Sequence, residues 1–362
     1  MSQRLKVSVV GAGRAARELT IPALRLLASE ATFCAICDVD LARAEALAQQ
    51  QDGGARAYDD LDQTLAKEKP DVLIINTPVA HHFETAMAAI DRAVHVLIEK
   101  PGMETLDQLE QVQVAAERKG VKASVIHNYK YMPGPTAAWK LYQEGVIGEV
   151  LHIDRVWMSP PQHDRMERDP EGWWHRLPGG RLADSLPHHL YISYPYIGDM
   201  SVEYVGVRKM ATDRPWSKCD EAEIILKAKR AYLNIRLSTN QVSWTRKGMT
   251  YHAVLWGTKN NLIVHQNEAA IMPCGDRRYW LRKGLDVLVN DVKRRLGLSR
   301  SEPWAVRGAH NLFFKAFFDC VRGAGPNPTP WDEATSVMRL TQEIANRMEA
   351  EIRSMKSRSD EV

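Results

Sequence analysis

The chain has 362 residues, of which 26% are charged and 44% apolar, and a formal net charge of +3. The length exceeds one typical core and predicts two domains. The composition excludes a disordered chain, and the charge is too small to argue for a nucleic-acid partner. Five scattered cysteines and the lack of a leader-like or membrane-spanning run predict a reducing, cytoplasmic setting.

Leu5 to Val10 reads as an apolar strand that runs into Gly11-Ala12-Gly13-Arg14-Ala15-Ala16, after which Leu19, Ala23, Leu24, Leu26 and Leu27 follow a helical pattern. Strand, glycine-rich turn and helix form a unit that cradles phosphate. Gly11 permits the tight turn, Gly13 lets the backbone approach a pyrophosphate across Gly11 to Ala15, and Ala16 is small enough for helix–strand packing. Phe33 to Cys37 reads as the second strand, closed by Asp38. An acid there accepts hydrogen bonds from ribose hydroxyls and repels a 2′-phosphate, which favours NAD. The cations Arg14 and Arg43 lie nearby and keep NADP as the alternative. Cys34 and Cys37 share C-x-x-C spacing but sit in this strand without a second ligand pair, so core packing is expected and no metal site.

Helices are expected from Leu41 to Gln50 and Leu61 to Lys67, with a turn at Asp52-Gly53-Gly54 between them. A buried strand from Val72 to Ile75 ends in Asn76-Thr77-Pro78, and His82 and Glu84 open the next helix. The apolar run Val94 to Ile98 then delivers Glu99 and Lys100 at a strand's carboxyl end, where open α/β sheets bind ligands, and Pro101 stiffens the turn. An isolated Glu-Lys-Pro more often marks a surface ion pair. Its setting after a buried strand favours a lysine aimed at substrate. A helix from Leu106 to Arg118 and a strand from Val121 to Ile126 complete the alternation, which predicts a doubly wound parallel Rossmann sheet over residues 1–127.

From Glu149 the pattern changes. Glu149–Met158, Val202–Ala211, Ala222–Ala228, Tyr232–Ser238, Thr250–Trp256 and Asn261–Gln266 read as strands separated by short turns. The overall expectation is an α/β chain: the Rossmann domain, then an α+β domain (128–362) whose largely antiparallel sheet is open on one face. One face would serve the substrate and the other packing or self-association into a homo-oligomer. A basic amphipathic helix is expected within 277–300, with Leu281, Leu285, Leu288, Val292 and Leu296 as its apolar stripe. Packing on its own subunit is favoured over contact with a membrane surface. A last helix runs from about Trp331 to Met355.

Gly11-Ala12-Gly13, Thr77-Pro78 with His82, Val96 to Pro101, Asn128-Tyr129-Lys130-Tyr131-Met132-Pro133 and Gly180-Arg181-Leu182-Ala183-Asp184-Ser185-Leu186-Pro187-His188 occur in one order. This order resembles the glucose–fructose oxidoreductase/inositol dehydrogenase/rhizopine catabolism family, usually called Gfo/Idh/MocA. Two positions depart from its pattern: Leu186 stands where Gly is frequent and Tyr191 where a further Asp is common. The resemblance implies a catalytic set of Lys100, Asp184 and His188 and a cofactor rim that includes Thr77, Pro78, His82, Glu99 and Lys100. It also implies a cis bond before Pro101 and a substrate-side basic position at Lys130.

The residues support such a set independently. Asp184 and His188 are four apart and share a helical face. Moving a hydride between an alcohol carbon and nicotinamide needs a group to move the hydroxyl proton and another to steady alkoxide charge. His188 suits the first task and Lys100 the second. His175, in Trp173-Trp174-His175-Arg176, is a further substrate-side position, with the tryptophans either packing or stacking on a sugar ring. The expected function is NAD(P)-dependent hydride transfer at a hydroxyl or keto carbon of a sugar, cyclitol or nucleotide-linked sugar. Elimination or epimerisation with internal NAD recycling, or a non-enzymatic NAD-binding sensor, stand as alternatives.

Overall fold

Val7, Val9, Val72, Ile74 and Leu97 are buried in one core, and Val10, Leu73, Ile75, Val96 and Ile98 in another. Strands apolar on both sides need cover on both, which is the requirement of a parallel sheet. The computed structural model describes residues 4–50, 54–162, 164–240, 250–272 and 303–360. The strands are β1 (Leu5–Val10), β2 (Ala31–Cys37), β3 (Arg56–Tyr58), β4 (Val72–Ile75), β5 (His95–Ile98) and β6 (Ala123–Val125), all parallel, in the order β3-β2-β1-β4-β5-β6. The order reverses between β1 and β4, so a crevice opens at their carboxyl ends.

A π-helical turn (Ala16–Thr20) leads into α1 (Ile21–Arg25), followed by α2 (Leu41–Ala48), α3 (Leu61–Glu68), α4 (His82–Asp91) and α5 (Leu106–Lys119). Local chemistry sets their ends. Asp60 caps α3 by accepting from the Gln63 amide at 2.7 Å, and Thr105 and Gln108 form a reciprocal capping box on α5. Strand β3 is not expected from sequence, because its three residues are only partly buried at the sheet edge and carry no apolar run.

The second sheet comprises β7 (Val150–Met158), β8 (Met200–Arg208), β9 (Glu221–Ala228), β10 (Tyr232–Ser238), β11 (Thr250–Gly257), β12 (Asn261–His265) and β13 (Ala269–Ile271), in the order β13-β12-β11-β7-β10-β9-β8. All its pairings are antiparallel except β7 with β10. Helices α6 (Pro133–Gln143), α7 (Arg165–Arg168) and α8 (Gly180–Ile197) lie between β6 and β8 in sequence. Two helices close the chain, α9 (Pro303–Val321) and α10 (Trp331–Asp360).

Two compact units divide the molecule, and they interleave rather than break once near residue 127. The first holds Met1–Tyr131, Ala183–Tyr194 and Ala309–Asn346; the second holds Met132–Leu182, Pro195–Gly308 and Arg347–Val362. The physical reason lies in the first unit's two cores. Phe313, Phe314, Phe317 and Phe318 of α9, each fully buried, complete one, and Ala334 and Met338 of α10 complete the other. None of the described helices is long and apolar enough to cross a membrane. The basic stretch 277–300 lies outside the described residues.

Candidate active site

The glycine turn is shaped by what crowds it. Gly11 has φ +91°, and a Cβ there would meet the Asn76 carbonyl carbon and oxygen at 2.7 Å and the Thr77 nitrogen at 2.8 Å. A Cβ on Gly13, in contrast, would meet nothing within 4 Å. Asp38 holds the turn from β2: its carboxylate accepts from the Ala12 amide at 2.6 Å and the Asp40 amide at 2.9 Å. Gly13 and Arg14 are exposed and Ala15 half-buried at the start of the helix, where backbone N–H groups and dipole favour an anion. Two residues beyond β4, the buried Thr77 hydroxyl has no partner. An open glycine surface at a helix N-terminus and an unspent hydroxyl at the switch point fit a dinucleotide.

His82 is buried rather than on a rim. One ring nitrogen lies 2.7 Å from the Gly102 carbonyl and the other 2.8 Å from that of Thr77, so it ties the end of β4 to the turn after β5. Burial pushes its pKa below the usual histidine value, outweighing the two carbonyls that favour the cation. A neutral ring donates to one of these carbonyls only. The Lys100–Pro101 bond in that turn is cis, as the resemblance implies.

Lys100 reaches α8. Its Nζ lies 2.7 Å from Asp184 Oδ1 and 3.2 Å from the Asp184 carbonyl, with both side chains largely shielded. Between Arg181 and Ser193, Asp184 and His188 alone are less than buried, so α8 presents one narrow polar stripe. The three residues expected to act together thus fall within the first unit, with Lys100 and Asp184 in direct contact. Glu99 does not engage the lysine's ammonium in this contact. Its carboxylate accepts from the Lys100 amide at 3.1 Å and faces His310 Nε2 at 3.8 Å.

Behind the stripe lies a polar chain that motif reading missed. His188 Nδ1 is 2.6 Å from the Tyr191 hydroxyl, and the His188 ring stacks on Tyr129 with centroids 4.0 Å apart. The Tyr191 oxygen also accepts from the Tyr129 amide at 3.2 Å and lies 3.4 Å from Asn128 Oδ1; Asn128 Nδ2 is 3.0 Å from His310 Nδ1. Tyr191 is visible in the sequence only as a departure from the family pattern, and His310 on α9 carries no motif at all.

Lys130 and His175 sit in other surroundings. Lys130 Nζ is 2.6 and 2.9 Å from the two Glu333 oxygens and 3.0 Å from the Pro328 carbonyl. Glu333 also contacts His127 Nδ1 at 2.6 Å. Burial pushes His127 below the usual value, so that contact is a neutral imidazole N–H donating to a carboxylate, and Lys130 supplies the ion pair. His175 belongs to the second unit, where Nε2 lies 3.1 Å from the Asp169 carbonyl and the buried Nδ1 has no partner. Among the described residues no group of three or more metal-ligating side chains occurs.

Comparison with known proteins agrees with this architecture. The family model for oxidoreductases with an NAD-binding Rossmann fold, Gfo/Idh/MocA, matches residues 5–127. An uncharacterised oxidoreductase of Escherichia coli, YdgJ, is 27% identical over 282 residues, 75% of this chain and 77% of that one. The D-glucoside 3-dehydrogenase of the same organism is 28% identical over 149 residues, 41% of this chain and 42% of its own. The WlbA dehydrogenase of Bordetella pertussis, solved with NADH and UDP-GlcNAcA, shares the fold at 18% identity, with a TM-score of 0.73 over 95% of this chain and 96% of that one. Residues 5–127 accordingly match the NAD-binding Rossmann domain of the Gfo/Idh/MocA oxidoreductases.

Proposed function

We propose that the protein transfers a hydride between nicotinamide and a hydroxyl or keto carbon of a sugar, cyclitol or nucleotide-linked sugar. The observation that carries this reading is the 2.7 Å contact of Lys100 with Asp184, one helical turn before His188 on the sole less-buried stripe of that part of α8. Gly11 to Ala15, Asp38 and Thr77 would hold NAD, which when bound would supply the hydride acceptor. His188 takes the hydroxyl proton as the alcohol is oxidised and returns it in reduction. Lys100, oriented by Asp184, opposes the charge that develops on the substrate oxygen. Lys130 acts through Glu333, its ion-pair partner. Sugar and cyclitol dehydrogenases among the relatives support the substrate class.

The test is a screen of sugars, cyclitols and nucleotide sugars followed by NADH absorbance. Loss of a positioned acid/base group costs about 10²- to 10⁴-fold in rate. His188→Ala and Lys100→Met should therefore lower turnover by that order while NAD still binds. Full turnover in either variant would remove it from the mechanism.

The open face of the second sheet is proposed as a self-association surface. Tyr204, Tyr232 and Trp256 share that face and are 51%, 44% and 37% exposed, an aromatic set that a partner copy would cover. A monomer in sedimentation at micromolar concentration would overturn it.

A further inference from the structure

We infer that Tyr191 is a positioning residue that holds His188 in the Nδ1–H tautomer, and that Glu99, acting through His310 and Asn128, sets the polarity of the chain that makes it do so. This rests on the proposed role of His188 as the proton-moving group.

The argument is one of donors and acceptors. A tyrosine hydroxyl has one hydrogen to give and two lone pairs to fill. Around Tyr191 stand the Tyr129 amide, which only donates, the Asn128 side-chain oxygen, which only accepts, and His188 Nδ1, which does either. If Tyr191 donates to Asn128, then His188 Nδ1–H donates to Tyr191 and every group is matched. The lone pair then sits on Nε2, the atom needed to accept a substrate proton.

The reversed chain is also conceivable within these four residues alone. It turns the Asn128 amide over, makes Tyr191 donate to His188 Nδ1, and places the His310 proton on Nδ1. His310 Nε2 would then face the Glu99 carboxylate at 3.8 Å with a lone pair rather than a hydrogen. Lone pair against carboxylate is repulsive, and both groups are shielded from water: His310 is 3% and Glu99 14% exposed at the side chain. Glu99 therefore selects the sense Glu99, then His310 Nε2–H, His310 Nδ1 accepting from Asn128, Asn128 accepting from Tyr191, and Tyr191 accepting from His188.

Two more contacts fit the assignment. Tyr191 is fully buried and stacks on His127 at 4.2 Å, so its hydroxyl is not free to swing. His188 stacks on the Tyr129 ring, which fixes the plane of the imidazole, and the hydrogen bonds then decide which nitrogen carries the proton. A phenol at this position orients the imidazole without placing a negative charge against it. Asp184, one turn away on the same stripe, is paired with Lys100 from the turn after β5.

The experiment is long-range ¹H–¹⁵N NMR on the full chain with ¹⁵N-labelled histidine and bound NAD, at a pH where imidazoles are neutral. The His188 signals are assigned by their loss in His188→Gln. The expected wild-type pattern is Nδ1–H. In Tyr191→Phe, which keeps the ring stack, the pattern should shift to the Nε2–H form that free imidazole prefers, and Glu99→Gln should give a mixture. An Nε2–H pattern in the wild type overturns the proposal, as does an unchanged Nδ1–H pattern in a Tyr191→Phe protein that still binds NAD. If Tyr191→Phe does not fold, the wild-type and Glu99→Gln spectra decide. Turnover of His188→Gln is read separately: if it is undiminished, the base assignment fails and the tautomer result stands on its own.

Discussion

Gly11 and Gly13 occupy the same motif and do different work. Gly11 sits at positive φ against the backbone of residues 76 and 77, so Gly11→Ala meets both a left-handed-region penalty of about 1–2 kcal/mol and a backbone clash. It should lower the melting temperature. Gly13 faces open space, so Gly13→Val should fold normally and lose NAD affinity by at least about tenfold, or roughly 1.4 kcal/mol. Parallel thermal melts and NAD titrations separate the two; a Gly13→Val protein with unchanged affinity would remove the pyrophosphate assignment. Asp38 has two tasks, since it pins the turn through the Ala12 and Asp40 amides besides its proposed ribose contact. Asp38→Asn keeps an oxygen for one amide and removes the charge that would repel a 2′-phosphate. The expected result is a smaller NAD/NADP preference with modest loss of stability, whereas Asp38→Ala should also loosen the turn. An unchanged cofactor ratio in Asp38→Asn would rule out the charge as selector.

Elements were legible in the sequence where burial is two-sided or spacing is chemical. The strands Val72–Ile75 and Val94–Ile98 are continuous apolar runs, because both faces are covered, and they appear where the pattern puts them. The stripe of Asp184 and His188 followed from a spacing of four. What escaped was set by tertiary contact. Strand β3 is an edge of three residues, and Glu333 and His310 meet His127 and Asn128 across separations of 206 and 182 residues, which no local period encodes. Helix α9 is the clearest case. Its Phe313, Phe314, Phe317 and Phe318 are a helical apolar set, yet their destination, the face of β1 and β4 some 240 residues earlier or more in the chain, is not written in the helix itself. Truncating one of them creates a cavity within the Rossmann core. Phe317→Ala should therefore cost about 3–5 kcal/mol, read as a shift in denaturant midpoint. A shift under about 1 kcal/mol, typical of a surface substitution, would show that α9 does not complete that core.

At the scale of the whole molecule, the buried histidines set a direction for the response to acid. Burial pushes His82 and His127 below the ordinary value, and His95 and His252 shift the same way for the same reason. In the unfolded chain each takes up a proton near pH 6.5, while the folded protein resists it, so the unfolded state binds more protons as pH falls through about 6.5. Stability is therefore full above that pH and declines toward the lower folded values, by up to about 1.4 kcal/mol per pH unit for each proton of difference. Glu333 adds a second, more acidic step. Burial pushes its carboxyl up, but the hydrogen bond from His127 and the charge of Lys130 more than offset this and hold it below the usual range. Its contribution is present above the unfolded carboxylate value and is lost as pH falls through the folded one. Glu167 opposes the trend, since burial raises its pKa despite Arg214 and Ser217, and acid relieves rather than aggravates it. The histidines outnumber it in the range between about pH 7 and pH 5.5, where ordinary carboxylates have not begun to protonate. The melting temperature should fall across that range, and His127→Gln, which retains an N–H to offer Glu333 but cannot titrate, should flatten the slope. A wild-type melting temperature that is level from pH 7 to about 5.5 would mean that the buried histidines accept protons in place, and the linkage argued from their burial would not hold.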